Sequence, residues 1–123
     1  MHAERCWHRD IAPENILVLP DGRPLLLDFG AARRVIGDRT RALTAILNSG
    51  YAPVEQYPGM QSMPQGPWTD LYALGSVLHF AITGQTPPEA LARWMADTRV
   101  PLADLPTARE RYGAAWLQAI DWC

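Results

Sequence analysis

The sequence predicts a mainly helical α+β fold carrying one β-hairpin, on three observations. Two short apolar runs flank an Asp-Gly turn near the amino end. A long apolar segment in the middle has helix signals at both of its ends. Two further helix-start signals follow it.

The elements follow in order. Residues 16–19 (Ile-Leu-Val-Leu) and 24–27 (Pro-Leu-Leu-Leu) are the strands, joined by Pro20-Asp21-Gly22-Arg23. Asp-Gly suits a two-residue hairpin turn, whose central residues need positive φ. Pro24 opens the second strand, where a missing N–H costs least. Unbroken rather than alternating apolarity predicts that both faces of the ribbon are covered. Residues 31–68 are rich in Arg, Gly, Pro, Gln and Ser, with one apolar patch from Leu43 to Leu47, and read as a long functional loop. Thr69 is then placed to cap a helix, with Asp70 at its positive end and Gly84 to stop it. Leu71 to Ile82 is apolar nearly all round, which puts this helix at the centre of a core. Thr86-Pro87-Pro88-Glu89 starts a second helix through about Ala96, with Pro88 in its first turn. Thr107-Ala108-Arg109-Glu110 reads as a capping box opening a third. That helix is still in register at Trp116, Leu117 and Ile120 when the sequence stops at Cys123, as expected of a truncated domain.

A chain of 123 residues that is 48% apolar suits one domain or part of one. Eleven basic against thirteen acidic residues leave a net charge of −2, which gives no bulk attraction to nucleic acid or anionic lipid. The longest uncharged run, Leu71 to Pro88, is too polar for a membrane span. Cys6 and Cys123 are too few for a disulfide framework and no leader pattern is evident, so a cytoplasmic protein with reduced thiols is expected. All eleven basic residues are Arg. Chemistry that needs a lysine amine has no source in this sequence.

Chemistry concentrates in His8-Arg9-Asp10-Ile11-Ala12-Pro13-Glu14-Asn15 and in Asp28-Phe29-Gly30. A two-residue turn at Asp21-Gly22 sets Asn15 opposite Asp28 at the open end of the hairpin, with Cβ atoms roughly 5 Å apart. An amide oxygen and a carboxylate that close suit a hard cation such as Mg²⁺. Asp10, just upstream, is placed to accept a proton from a hydroxyl brought to a metal-bound phosphate.

These segments resemble known motifs. His8 to Asn15 resembles the catalytic loop of protein kinases, and Asp28-Phe29-Gly30 resembles their metal-binding motif. Gly50-Tyr51-Ala52-Pro53-Val54-Glu55-Gln56-Tyr57 is similar to the end of a bacterial serine/threonine kinase activation segment. Asp70-Leu71-Tyr72-Ala73-Leu74-Gly75 is similar to the start of the central helix of the kinase C-terminal lobe. All four stand in family order across most of the chain. The resemblance implies a partial kinase C-terminal lobe over residues 1–123, with ATP and Mg²⁺ as ligands and a protein Ser or Thr hydroxyl as acceptor. It implies Asp10 as catalytic base and Asn15 and Asp28 as the Mg²⁺-ATP ligands. Phe29 and Gly30 complete the metal-binding motif. His8 would be architectural, Arg9 would tie the catalytic loop to the activation segment, and Asp70 would brace the loop backbone. Glu55 would match a structural Glu whose Arg partner is expected beyond residue 123.

Three departures stand beside the matches. Ala12 occupies the place of the family's usual Lys, and Asn48-Ser49 supplies no compensating charge. A glycine-rich loop, a phosphate-holding Lys and its Glu partner, all features of the N-terminal lobe, have no counterpart here, so a fragment inactive by itself is expected. The alternatives are a non-catalytic, pseudokinase-like binding lobe presenting the groove around residues 84–96, or a truncated product without function.

The remaining candidates have plainer readings. His2, Cys6 and His8 lack a fourth ligand at zinc-like spacing. Trp7, Trp68, Trp94, Trp116 and Trp122 fall on separate elements and suit packing rather than a ligand cage. Arg33, Arg34, Arg39 and Arg41 would either clamp a phosphorylated Thr40, Thr44 or Ser49 or form a solvated face. His79 reads as a satisfied core residue.

Overall fold

A 17-residue helix, α1 (Pro67–Thr83), organises a computed structural model that describes residues 6–27, 50–60 and 62–123. Three small apolar clusters sit against it, as a helix apolar nearly all round requires. Ala73 and Val77 of α1 pack with Ile11 and with Ile16 and Leu26 of the hairpin. Tyr72 meets Ala52, Tyr57 and Ala90. Leu78 and Ile82 cover Leu102, Ala108, Leu117 and Ile120.

The start of α1 differs from expectation. Gly66 is the N-cap and Pro67 the first helical residue, a position where proline loses nothing. Thr69 therefore lies inside the first turn, and its hydroxyl accepts the Gly66 N–H at 3.1 Å instead of capping from outside. The end is as expected: Gly84 sits at φ +72°, and its N–H reaches the Phe80 carbonyl at 2.7 Å.

The hairpin pairs β1 (Ile16–Val18) with β2 (Pro24–Leu26), Ile16 opposite Leu26 and Leu17 opposite Leu25. The register is one residue off the expected one. Leu19 and Arg23 close a loop of Pro20, Asp21 and Gly22, with Gly22 at φ +83°. This is the turn-plus-left-handed-glycine solution rather than the two-residue turn. Asp21 reinforces it by accepting from the Arg23 backbone N–H and Nε, which holds the Asp21 carboxyl below its usual value. Asn15 consequently faces Leu27, whose N–H donates to the Asn15 carbonyl at 2.7 Å, and the expected partner Asp28 lies outside the described residues. Nor are both faces of the ribbon covered, since Leu17, Val18 and Leu25 are exposed.

The later helices are shorter than predicted. Consecutive prolines keep Thr86 to Glu89 extended, so α2 runs only from Ala90 to Met95. Pro106 takes the first position of α3 (Pro106–Arg111), which leaves Thr107 inside the helix and the expected capping box unformed. Tyr112 then turns extended, and α4 (Ala114–Asp121) restarts after Gly113 and ends at Trp122. The Asp121 carboxylate accepts the N–H groups of Leu102 and Ala103, tying α4 to a 3₁₀ turn at Leu102–Asp104. Among the described residues no helix is long and apolar enough to cross a membrane.

Candidate active site

The loop before the hairpin is fixed from the first turn of α1. The buried Asp70 carboxylate accepts two consecutive backbone N–H groups, His8 at 2.8 Å and Arg9 at 2.7 Å. A charged acceptor makes each bond stronger than a neutral one. Arg9 adopts φ +66°, a left-handed conformation that costs a non-glycine residue about 1–2 kcal/mol. The Asp70 clasp and the Gln56 amide, which donates to the Arg9 carbonyl at 2.7 Å, hold it there.

That turn aims Asp10. The Asn15 side-chain nitrogen donates to the Asp10 carbonyl at 2.8 Å and to its carboxylate at 3.0 Å. Both partners are acceptors, so the Asn15 amide orientation is determined and its oxygen points elsewhere. A 3₁₀ turn at Pro13–Asn15 makes this reach possible. His8 is fully buried, and its Nε2 lies 3.0 Å from the Leu27 carbonyl, which joins the loop to the second strand.

Asp10, Asn15, His8, Arg9 and Asp70 thus come together around one loop. Asp28, Phe29 and Gly30 lie outside the described residues, as do the Arg cluster and its candidate phosphosites. The Arg9 backbone carbonyl joins the loop to the segment carrying Glu55 through Gln56. Gln56 falls within the Gly50–Tyr57 motif, but no periodic pattern assigns it this contact. Ala12 is fully buried, so its place in the loop is packed.

Glu55 is buried in a 3₁₀ turn at Val54–Gln56 and accepts the Thr69 hydroxyl at 2.8 Å. No ion pair involves it among the described residues. It borders a cavity of about 370 Å³ walled by Trp68, Tyr72 and Trp94. Arg93 lines the same cavity, but its guanidinium stacks on Tyr72 and pairs with Asp97 at 3.3 Å. Burial opposes ionisation of Asp97, yet the Arg99 backbone N–H and Arg93 hold its carboxyl below the usual value.

The protein kinase domain family matches residues 1–102. The chain belongs to the protein kinase family. Its bacterial serine/threonine character is seen in its relatives. Serine/threonine-protein kinase F of Synechocystis is 34% identical over 94% of this chain and 26% of its own length. Probable serine/threonine-protein kinase PkwA of Thermomonospora curvata is 34% identical over 98% of this chain and 17% of its own length. A solved kinase structure, the apo form of PpkA-294, superposes with a TM-score of 0.71 at 41% identity, over 98% of this chain and 40% of that one. The kinase chain described here therefore spans about a quarter or less of these curated relatives.

Proposed function

We propose that this chain is the catalytic-loop lobe of a serine/threonine protein kinase that transfers the ATP γ-phosphoryl group to a protein Ser or Thr hydroxyl in the cytoplasm. The observation that carries the reading is the clasp of Asp70 on the His8 and Arg9 N–H groups, which presents Asp10 on a strained, fixed turn. Asp10 orients the acceptor hydroxyl and takes its proton as oxygen bonds to the γ-phosphorus and ADP leaves. The Asn15 side-chain oxygen, left without a protein partner among the described residues, is a hard donor suited to Mg²⁺, with Asp28 as the second ligand. Magnesium, when bound, neutralises charge on the phosphate oxygens. Asp70 and His8 hold the loop.

A chain without Lys and without a glycine-rich loop lacks the upper clamp on the nucleotide, so by itself it should show no more than trace transfer. The test joins it to the N-terminal lobe of the Synechocystis relative. The hybrid should phosphorylate casein on Ser or Thr in a Mg²⁺-dependent manner, and Asp10→Asn should lower the rate by about 10²-fold or more. A hybrid that folds and binds ATP but transfers nothing would overturn the catalytic reading. It would favour a second one, a binding lobe presenting residues 84–96, for which Trp94 and Met95 stand exposed at 61% and 91%.

A further inference from the structure

Each peptide unit is a rigid plane, so the carbonyl of one residue and the N–H of the next turn together. The Asp70 carboxylate fixes the planes that enter His8 and Arg9, through their N–H groups. Neither bond fixes the next plane, which carries the Arg9 carbonyl and the Asp10 N–H, because the two rotatable backbone bonds of Arg9 lie between. Gln56 fixes that one: its side-chain nitrogen donates to the Arg9 carbonyl at 2.7 Å. A carbonyl can only accept, so the nitrogen end of the amide is the end that faces it. Asn15 holds the plane after, donating to the Asp10 carbonyl at 2.8 Å. The Asp10 Cα therefore stands between two planes, each pinned by a side-chain amide.

The two amides come from different places. Asn15 belongs to the loop itself, whereas Gln56 is buried on the Val54–Gln56 turn, 47 residues away in sequence. That turn is tied in its own right to α1, through the Thr69 hydroxyl on Glu55. A cavity of about 10 Å³ bordered by Arg9, Asp10, Tyr51 and Gln56 is at the lower limit for one water, so water is a poor substitute for the amide. The seating of the turn and the aim of Asp10 are thus linked. If the turn moves away, the plane ahead of Asp10 loses this donor, and Arg9 loses one of the restraints on a φ of +66° that a non-glycine residue rarely keeps unaided.

We propose that Gln56 is a positioning residue for phosphoryl transfer, its amide setting the peptide plane that carries Asp10, so that the base is aimed only while the Val54–Gln56 turn is seated. The role rests on the reading of Asp10 as the base. In the full chain labelled with ¹⁵N-asparagine, which holds only Asn15 and Asn48, the Asn15 side-chain amide reports where Asp10 points, because it donates to the Asp10 carboxylate. Gln56→Leu, close in volume but unable to donate, should move that signal toward free asparagine with the circular dichroism spectrum unchanged. In the hybrid carrying the N-terminal lobe of the Synechocystis relative, the same change should lower kcat about tenfold or more and leave KM for ATP within about twofold. Gln56→Glu can donate only when protonated, a form that burial favours. Its kcat relative to the parent hybrid should therefore climb as pH falls from about 8 to about 5. Arg9, Asp10 and Tyr51 beside it are common to both proteins, and a carboxylate that merely raised the Asp10 pKa would bend the ratio the other way. A purely structural role would leave the ratio flat in folded enzyme, and this second variant serves if the Leu variant fails to fold. An unchanged Asn15 signal in folded Gln56→Leu, a kcat within about twofold of the parent, or a flat ratio would each overturn the proposal. A parent hybrid that transfers nothing would overturn the catalytic reading instead, and the Asn15 signal would then decide the positioning.

Discussion

Asp70 is the residue on which the loop geometry turns. Its two oxygens each satisfy one backbone N–H, and those N–H groups belong to Arg9, where the chain bends to send Asp10 toward Asn15, and to His8 just before it. Replacing it with Asn keeps the shape but loses the charge, and it turns an NH₂ group toward one of the two donors. Asp70→Asn should therefore destabilise the chain by roughly 2–3 kcal/mol, the worth of a charged hydrogen bond plus an unsatisfied donor. Urea unfolding measures it, and a loss below about 1 kcal/mol would mean that the loop finds another acceptor. At this scale the sequence was informative about identity and poor about geometry. Asp10, Asn15 and Asp70 are legible because the chemistry and the family motifs demand those residue types at those positions. The left-handed turn at Arg9 is not, since nothing in an Arg side chain announces φ +66°. Gln56 escaped notice for the same reason: its role depends on a carbonyl 47 residues away in sequence.

Between elements, the junction of the Val54–Gln56 turn with α1 depends on one hydroxyl. Thr69 accepts from Gly66 and donates to the buried Glu55, so it closes the helix start and satisfies a carboxylate at once. Thr69→Val should cost roughly 1.5–3 kcal/mol, because the carboxylate keeps its desolvation cost and loses its donor. In Thr69→Val/Glu55→Leu the two losses should fall short of additivity by at least about 1 kcal/mol; additive losses would show the pair to be uncoupled. Tyr57, a few residues on, reports the packing of α2. Burial, then the Glu89 charge and Tyr72, push its phenol up to about 12 from the ordinary 10.0. A native pKa above the unfolded one contributes stability that is complete below pH 10 and lost as pH rises through about 12. Ultraviolet titration should find one phenol displaced to about 12 in the native chain, absent in Tyr57→Phe. Finding no displaced phenol would contradict the packing of Ala90 on this ring. Element boundaries show where pattern reading stops. The core helix, its Gly84 end and the hairpin were legible from periodicity and turn residues. Helix starts were displaced because proline takes the first helical position and pushes the candidate cap inside, as at Pro67 and Pro106. The hairpin register was displaced because Asp-Gly also fits a three-residue loop, and only strand pairing decides between the two.

On the scale of the whole molecule, three small clusters share one helix, and a large part of the apolar surface remains outside them. Leu17 and Leu25 form an open face on the hairpin and Val18 is exposed on the other face, while Trp68, Trp94, Met95, Trp116 and Trp122 stand out elsewhere. The uninterrupted apolar runs of the hairpin led to the expectation of a covered ribbon. Among the described residues that cover is missing, because apolarity records what a strand suits and not what lies against it. An exposed two-stranded ribbon with an apolar face is a template for association. The isolated chain should therefore sediment with increasing mass as its concentration rises, and bind an apolar dye in the native state. Leu17 and Leu25 face each other across the strands, so Leu17→Thr/Leu25→Thr removes the centre of that face while placing β-branched residues, which suit a strand, in the ladder. Being exposed, the pair should change stability by about 0.5 kcal/mol or less per site. Association should nonetheless fall clearly, because the face that drives it has become polar. If the variant associates as strongly as the parent, the ribbon is not the sticky surface and the tryptophan-rich side of α2 and α4 is the next to alter. If the parent is monomeric throughout, the ribbon must be shielded in solution by residues of the chain itself.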